Sequence, residues 1–298
     1  MVSIIVCTYN REKFIGQCLD SIARQSASSD RFELIFVDNN STDRTVQLFN
    51  DFKLNNPELN CRYFLELNQG LSYARNRGIA ESKGDVVAFL DDDAIACEDY
   101  VSKLETVFAQ SEYGAGGGKI LPRWETSRPD WMGDFLLPLV SVIDLGNQQK
   151  EFPVRKYPIG ANMFFRRSVL KNVGDFNTQL GRVGKNMMGG EEKDIFNRTR
   201  AAGVKIGYFP DIDVHHIIPQ ERTTEAFIRK QALGIGSSES ARTRTSFFAY
   251  LNRLVTELFK WGATLLISLY YLATFNFSKA RMLCRFRFWV TTGLITKQ

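Results

Sequence analysis

Three carboxylates stand in a row at Asp91-Asp92-Asp93, directly behind the apolar run 85–90 (DVVAFL). Like charges this close repel, and each disfavours ionisation of its neighbours. A divalent cation resolves that conflict. Hard oxygen ligands suit Mg²⁺ or Mn²⁺, ions that commonly also bind substrate phosphates. Successive side chains point in different directions, so Asp91 and Asp93 are expected to act together rather than Asp91 and Asp92. The bland alternative is an acidic cap on a following helix. Asp38 closes a second apolar run, 33–37 (ELIFV), and leads into Asn39-Asn40-Ser41-Thr42-Asp43, residue types that suit turns and helix caps.

Two further clusters could carry chemistry. Glu191 and Glu192 lie in GGEEKD (189–194), at the start of a helical pattern. Acids there are favoured by the helix dipole, but a carboxylate so placed could also take a proton from a hydroxyl nucleophile, and Gly189 and Gly190 would let the backbone approach a ligand. His215 and His216 are the only histidines. Neighbours on an extended segment face opposite ways, so one of the two is the candidate, as a metal ligand or a phosphate contact. Arg222 follows six residues after His216 and could pair with a diphosphate. The run GAGGGKI (114–120) is not a phosphate loop: Tyr113 stands where a Walker loop needs glycine, and Ile120 where it needs serine or threonine. It reads as a strand or a close-packed turn.

These residues need elements to hold them. Buried-strand runs occur at 2–7, 33–37, 61–65 and 85–90. Between them lie helical patterns: one with Phe14, Ile15, Cys18, Leu19 and Ile22 on one face, one from about Asp43, and one from Gly70 to Ser82. Strands alternating with helices predict a parallel, doubly wound α/β sheet, which binds ligands beyond the carboxyl ends of its strands. Asp38 and Asp91–Asp93 both fall at such ends. Residues 122–157, with Trp124 and Trp131, predict an irregular connection over the site. A helix at about 191–202 and a strand at 204–209 follow.

The composition is that of a folded domain: 298 residues, 44% hydrophobic, 24% charged, net charge +5. After Glu257 no acid occurs, while Lys260, Lys279, Arg281, Arg285, Arg287 and Lys297 are basic. The tail from about Thr223 is helical in pattern, and residues 261–278 carry no charge. Eighteen such residues sit at the lower edge of a bilayer span, and the basic cluster behind them suits a helix lying among lipid headgroups. A true span, and a soluble helical or homo-oligomer-forming appendage, are the alternatives. Cys7, Cys18, Cys61, Cys97 and Cys284 are odd in number and widely spaced, matching neither a disulfide framework nor a zinc site. With no signal-like stretch at residues 1–10, the expected location is the cytoplasm, peripheral on the inner face of the cell membrane. The basic residues sit among tail aromatics outside any nucleic-acid-binding module, so nucleic acid is not an expected partner.

Seven stretches, in order, resemble the family 2 glycosyltransferases: VSIIVCTYNR, LIFVDNNSTDRT, NQGLSYARNRGI, GDVVAFLDDDA, PIGANMFFRRSVLKNVGDF, GGEEKDIFNRTRAAG and PDIDVHHIIPQER. The resemblance covers about residues 2–222 and implies the GT-A fold, a Rossmann-like, mostly parallel sheet flanked by helices. Residues 1–222 would then be the catalytic domain and 223–298 a helical C-terminal region. It further implies an inverting transfer from a nucleotide sugar, uridine being the commonest base, to a hydroxyl of a glycan or polyprenyl-linked acceptor, in polysaccharide or cell-surface glycan biosynthesis. By the same resemblance Thr8, Tyr9 and Asp38 line the base pocket and Asn76 lies near the nucleotide. Asp91 lies near the ribose, Asp93 is on a Mn²⁺ or Mg²⁺ ion, and Asp92 counts with the donor-binding residues. Glu192 stands where the family has its catalytic base, usually an aspartate, with Glu191 and Asp194 as the neighbouring acids. His216 matches the family's C-terminal histidine, and with Arg222 would assist the departing diphosphate. Two rival expectations are a sugar-nucleotide pyrophosphorylase, whose Gly-rich basic loop residues 8–13 (TYNREK) lack, and a non-catalytic scaffold of the same fold.

Overall fold

The first apolar run is strand β1 (Val2–Thr8) and the second β2 (Phe32–Asp38). They pair in parallel, with Thr8 opposite Asp38. Strands β3 (Cys61–Leu65) and β4 (Val86–Phe89) join β2 and β1, also in parallel. Helices α1 (Ile15–Ala23), α2 (Thr45–Asn55) and α3 (Leu71–Glu81) fill the connections. Four parallel strands therefore end on one edge, which brings Thr8, Asp38 and the acidic triplet behind Phe89 to the same side. The computed structural model describes residues 1–182, 189–244 and 246–296.

Side-chain alternation on these strands builds two apolar layers. Ile4, Val6, Leu34 and Phe36 meet Ile15, Phe49 and Tyr100 on one face; Ile5, Ile35, Val37 and Phe89 meet Ala74, Val169 and Ile195 on the other. The second layer is closed by α5 (Arg167–Val173) and α6 (Glu191–Ala201), the first by α4 (Tyr100–Gln110).

Beyond β4 the sheet continues with antiparallel partners. The remaining strands are β5 (Ala94–Ala96), β6 (Ala115–Trp124), β7 (Lys150–Glu151), β8 (Met163–Arg166) and β9 (Ile206–Ile218). Among the described residues the order is β3-β2-β1-β4-β8-β6-β9-β5, with β7 on β9. The expected α/β GT-A class is what the structure shows, and the antiparallel half is its addition. The glycine run is a strand rather than a loop. A Cβ at Gly118 would lie 1.6 Å from the Ile212 carbonyl oxygen, so β6 can approach β9 only without a side chain there. The strand expected at 204–209 extends to Ile218. Beyond Pro210, Ile212, Val214 and His216 continue a buried period of two.

The chain forms two compact units, Met1–Arg123 with Ser141–Ile217, and Trp124–Val140 with Ile218–Gln298. The second holds α7 (Glu225–Thr243), α8 (Phe247–Ala273) and α9 (Phe277–Ile295). Residues 124–140 belong with these helices: a Cβ at Gly133 would stand 2.6 Å from the Tyr271 hydroxyl. Thr224 and Ser246 cap α7 and α8, accepting from the amides of Phe227 and Ala249. Gly236 and Gly293 let α7 and α9 touch backbone to backbone, a Cβ at either falling 2.2–2.3 Å from a carbonyl oxygen of the other helix. Among the described residues no helix is long and apolar enough to cross a membrane.

Gly118→Ala forces β6 off the Ile212 backbone and is expected to cost at least about 2 kcal/mol. Urea unfolding of the variant measures this, and an unchanged midpoint would contradict the close approach.

Candidate active site

The loops after β1 and β2 are latched together. The Asn10 amide N–H donates to Ser41 Oγ (2.9 Å) and the Thr42 N–H to Asn10 Oδ1 (2.8 Å). Asp38 is buried; its Oδ1 accepts from the Ser41 N–H (3.0 Å) and its Oδ2 from the Tyr63 hydroxyl (3.1 Å). Burial, with the Asp38 charge and hydrogen bond adding, pushes the Tyr63 phenol up to about 12. Thr8 is buried beside Asp38 in the sheet register, and Tyr9 is exposed on the rim. The three residues assigned to the base thus share one sheet edge.

The acidic triplet splits three ways. Asp91 faces Arg75 of α3, Oδ1 to Nη2 at 3.7 Å. Asp92 meets Arg11 Nε at 3.3 Å. Burial pushes its carboxyl up to about 7 against the pull of Arg11, with Asp93 and Asp91 adding to the rise. Asp93 Oδ1 stands 3.0 Å from His216 Nε2, and its Oδ2 3.9 Å from Arg11 Nη2. The sheet makes the Asp93–His216 pair: Ala94 is opposite His216 across β5 and β9, and the Ile217 N–H donates to the Asp93 carbonyl (2.8 Å). His216 is buried and His215 exposed, as strand alternation requires.

The Asp93–His216 separation bears on the implied metal. Two neighbouring ligands of an octahedral ion with bonds of about 2.1 Å stand about 3.0 Å apart. A carboxylate and an imidazole at that spacing fit Mn²⁺ or Mg²⁺. Asp91 does not join them: among the described residues no group of three His, Cys, Asp or Glu is arranged to hold an ion. The remaining positions would fall to phosphate oxygens and water, as is usual for these ions.

The fourth cluster is built on Arg75, a buried guanidinium lying over the Phe176 ring, 5.3 Å from its centroid. Its Nη1 donates to Glu191 Oε1 (3.1 Å) and its Nη2 to Glu192 Oε1 (3.1 Å). Burial alone would lower its affinity for the proton, yet Glu192, Glu191 and Asp91 carry it well above the ordinary arginine value. The Gly160 N–H also donates to Glu192 Oε1 (2.8 Å). Burial raises the Glu192 carboxyl to about 7, opposed by Arg75 and the Gly160 amide and assisted by Glu191 and Asp91. A Cβ at Gly160 would stand 2.0 Å from Arg75 Nη2 and 2.8 Å from Glu192 Oε1, so this meeting point requires glycine.

Other candidates are engaged elsewhere. Asn76 exchanges two hydrogen bonds with the Phe176 backbone, at 2.9 and 2.8 Å, and thereby braces the ring under Arg75. Asp194 pairs with Arg198 one turn along α6. Arg222 lies in the 3₁₀ turn Gln220–Thr223 of the C-terminal unit. Arg11, Arg75 and Gly160 were not singled out from the sequence. The one available signal was arithmetic: acids at 91–93, 191 and 192 need buried cations, but no spacing says which arginines supply them.

The family model described as "Glycosyl transferase family 2" matches residues 3–174. The chain belongs to this family. It is 28% identical over 227 residues to the glucosyl-dolichyl phosphate glucuronosyltransferase of Haloferax volcanii, covering 74% of this chain and 71% of that protein. It is 26% identical over 243 residues to the succinoglycan biosynthesis protein ExoM of Rhizobium meliloti, covering 80% and 73%. In fold it is similar to a mannosyltransferase from Pyrobaculum calidifontis, solved with GDP-mannose and Mn²⁺. That match has a TM-score of 0.65 at 18% identity and covers 99% of this chain and 86% of that one. The family 2 chain is thus a nucleotide-sugar glycosyltransferase with relatives in cell-surface glycan and polysaccharide biosynthesis.

Glu192 titrates near 4.5 in an unfolded chain and near 7 here, so between those values the native state binds the extra proton. Stability therefore falls as pH rises through that window. Glu192→Gln removes this contribution and leaves the one from Asp92: its melting temperature should exceed wild type at pH 8 and converge with it near pH 4.5. A lower melting temperature at pH 8 would mean that the ionised carboxylate stabilises the native state.

Proposed function

We propose that this glycosyltransferase is an inverting enzyme that moves a sugar from a nucleoside diphosphate donor to a hydroxyl of a glycan or lipid-linked glycan, with Glu192 as the base. The observation that carries this reading is the shared guanidinium: Arg75 bonds Glu192 and faces Asp91, so the base and the first acid of the triplet form one cluster. Arg75 and the Gly160 N–H both bond Oε1 of Glu192, which leaves Oε2 to take the proton of an incoming hydroxyl. Its carboxyl is poised near neutrality, where a base combines a deprotonated fraction with useful proton affinity. Glu191 is more deeply buried and held by Arg75 Nη1, and Asp194 is paired with Arg198, so neither competes.

Thr8, Tyr9 and Asp38 would border the nucleotide base, uridine being the base the family resemblance implies, and Asp91 the ribose. Asp93 and His216 would hold the divalent ion, with the donor diphosphate completing its shell. That ion supplies positive charge where the leaving diphosphate becomes more negative. Arg11 neutralises Asp92 and lies toward Asp93, which keeps the triplet compact before the donor arrives. The names of the Haloferax and Rhizobium relatives support a lipid-linked or polysaccharide acceptor.

Turnover with a panel of nucleotide sugars tests the reading, water serving as acceptor until the natural one is found. Glu192→Gln should lower kcat at least about 100-fold with donor binding little changed. Wild-type kcat/KM should rise with pH through an apparent pKa near 7, since the deprotonated form is the base and this ratio reports the free enzyme. Near-normal turnover in the variant removes Glu192 from the role. In isothermal titration, Asp93→Asn should abolish the Mn²⁺-dependent part of donor affinity; unchanged metal dependence would place the ion elsewhere.

A further inference from the structure

Helix α8 is inverted relative to a helix of a water-soluble domain. Its buried positions are Arg253, Glu257, Thr264, Ser268 and Tyr271. They form a polar seam with the neighbouring helices. Arg253 donates to Glu239 of α7 (3.1 Å) and to Glu257 (2.8 Å). Arg287 of α9 donates to Glu257 (3.0 Å) and Thr264 (3.3 Å), and the Trp261 indole donates to Thr291 (2.9 Å). The apolar residues point outward: Leu258, Phe259, Leu265, Leu266, Leu269 and Tyr270 are each more than half exposed. At 3.6 residues per turn these six fall within an arc of about 140°. Water-soluble helices turn such an arc to the core.

We infer that this outward face docks on an anionic lipid bilayer, with α8 lying along the headgroup boundary. The helix has 27 residues, a length of about 40 Å, and carries Arg253, Glu257 and Lys260 in its first half. Among the described residues no helix can cross a bilayer, so the face lies on the surface instead of entering it end-on. Charge selects the occupant. No acid follows Glu257 in the chain, and Lys260 and Arg281 are exposed. Every charged residue after Glu257 is basic, which anionic headgroups complement and a second copy of the same segment does not. The inference stands apart from the transfer reaction, because every residue it uses lies in the C-terminal unit.

Flotation of the full chain with vesicles tests it. The wild type should float with equimolar phosphatidylcholine and phosphatidylglycerol, and several-fold less with phosphatidylcholine alone. The double variant Leu265→Ser, Leu269→Ser should lower the floated fraction at least about tenfold while keeping the wild-type melting temperature, since both side chains point outward. Four results would overturn the inference. They are no flotation of the wild type, equal flotation with both vesicle types, undiminished flotation of the variant, and a lowered variant melting temperature that shows the face packing within the chain. A concentration-dependent dimer, lost in the same variant and seen without vesicle binding, would assign the face to a second copy.

Discussion

One guanidinium organises the chemistry of the N-terminal unit. Arg75 is buried, and three carboxylates from two distant segments converge on its fork. A charged group placed there without partners would be strongly destabilising, so α6 and the loop after β4 cannot dock independently of α3. The fork is planar and presents its donors at fixed angles, which sets the spacing between Glu191 and Glu192 more tightly than apolar packing could. One positive charge faces three carboxylates there. The deficit appears on Glu192, where burial outweighs the arginine.

The same imbalance recurs at Asp92, where Arg11 faces two carboxylates. Taken together, five acids (Asp91, Asp92, Asp93, Glu191, Glu192) meet two arginines. In the proposed reading a divalent ion relieves this excess, while a nucleoside diphosphate alone would add to it. Ion and donor are therefore expected to bind as a unit. The framework behind Asp93 is stiff: Asn162, buried, donates to the carbonyls of Ile212 (2.7 Å) and Lys119 (3.2 Å) and accepts from the Tyr100 hydroxyl (3.2 Å). Those bonds tie β6 to β9, and β9 carries His216 to its place opposite Ala94. In the proposed reading Asp93 and His216 would therefore keep their spacing before an ion binds.

Much of this unit was legible in the sequence because its signals are local. Continuous apolar runs ending in Asp38 and Asp91 mark central parallel strands, and the carboxyl ends of such strands lie together by topology alone. The two histidines could be divided by strand alternation. Which one faced inward rested on the family resemblance alone, since the strand was expected to end at 209, short of both. Arg75 was illegible for a different reason. Its partners lie 116 and 117 residues away, and an arginine on a helix beside Asn76 reads like any solvated one. Gly160 carries the same lesson, since its need for a hydrogen in place of a side chain exists only after Arg75 and Glu192 have met.

The C-terminal helices show the limit of periodicity most directly. A 3.6-residue pattern tells that a helix has two faces, but not which one the rest of the chain covers. In α8 the polar face wins the interior because its groups have mutual partners: Arg253, Glu257, Arg287 and Thr291 satisfy one another across the seam. Rotating the helix to bury Leu258 and Leu265 would strip those bonds and expose α9 to a face with no complementary groups. Burying leucines would favour that rotation in water by roughly 1.5–3 kcal/mol each. On the bilayer surface inferred above, an exposed leucine would carry little of that penalty. On the inferred bilayer surface the apolar exterior would meet lipid, while the polar seam holds α8 against α7 and α9.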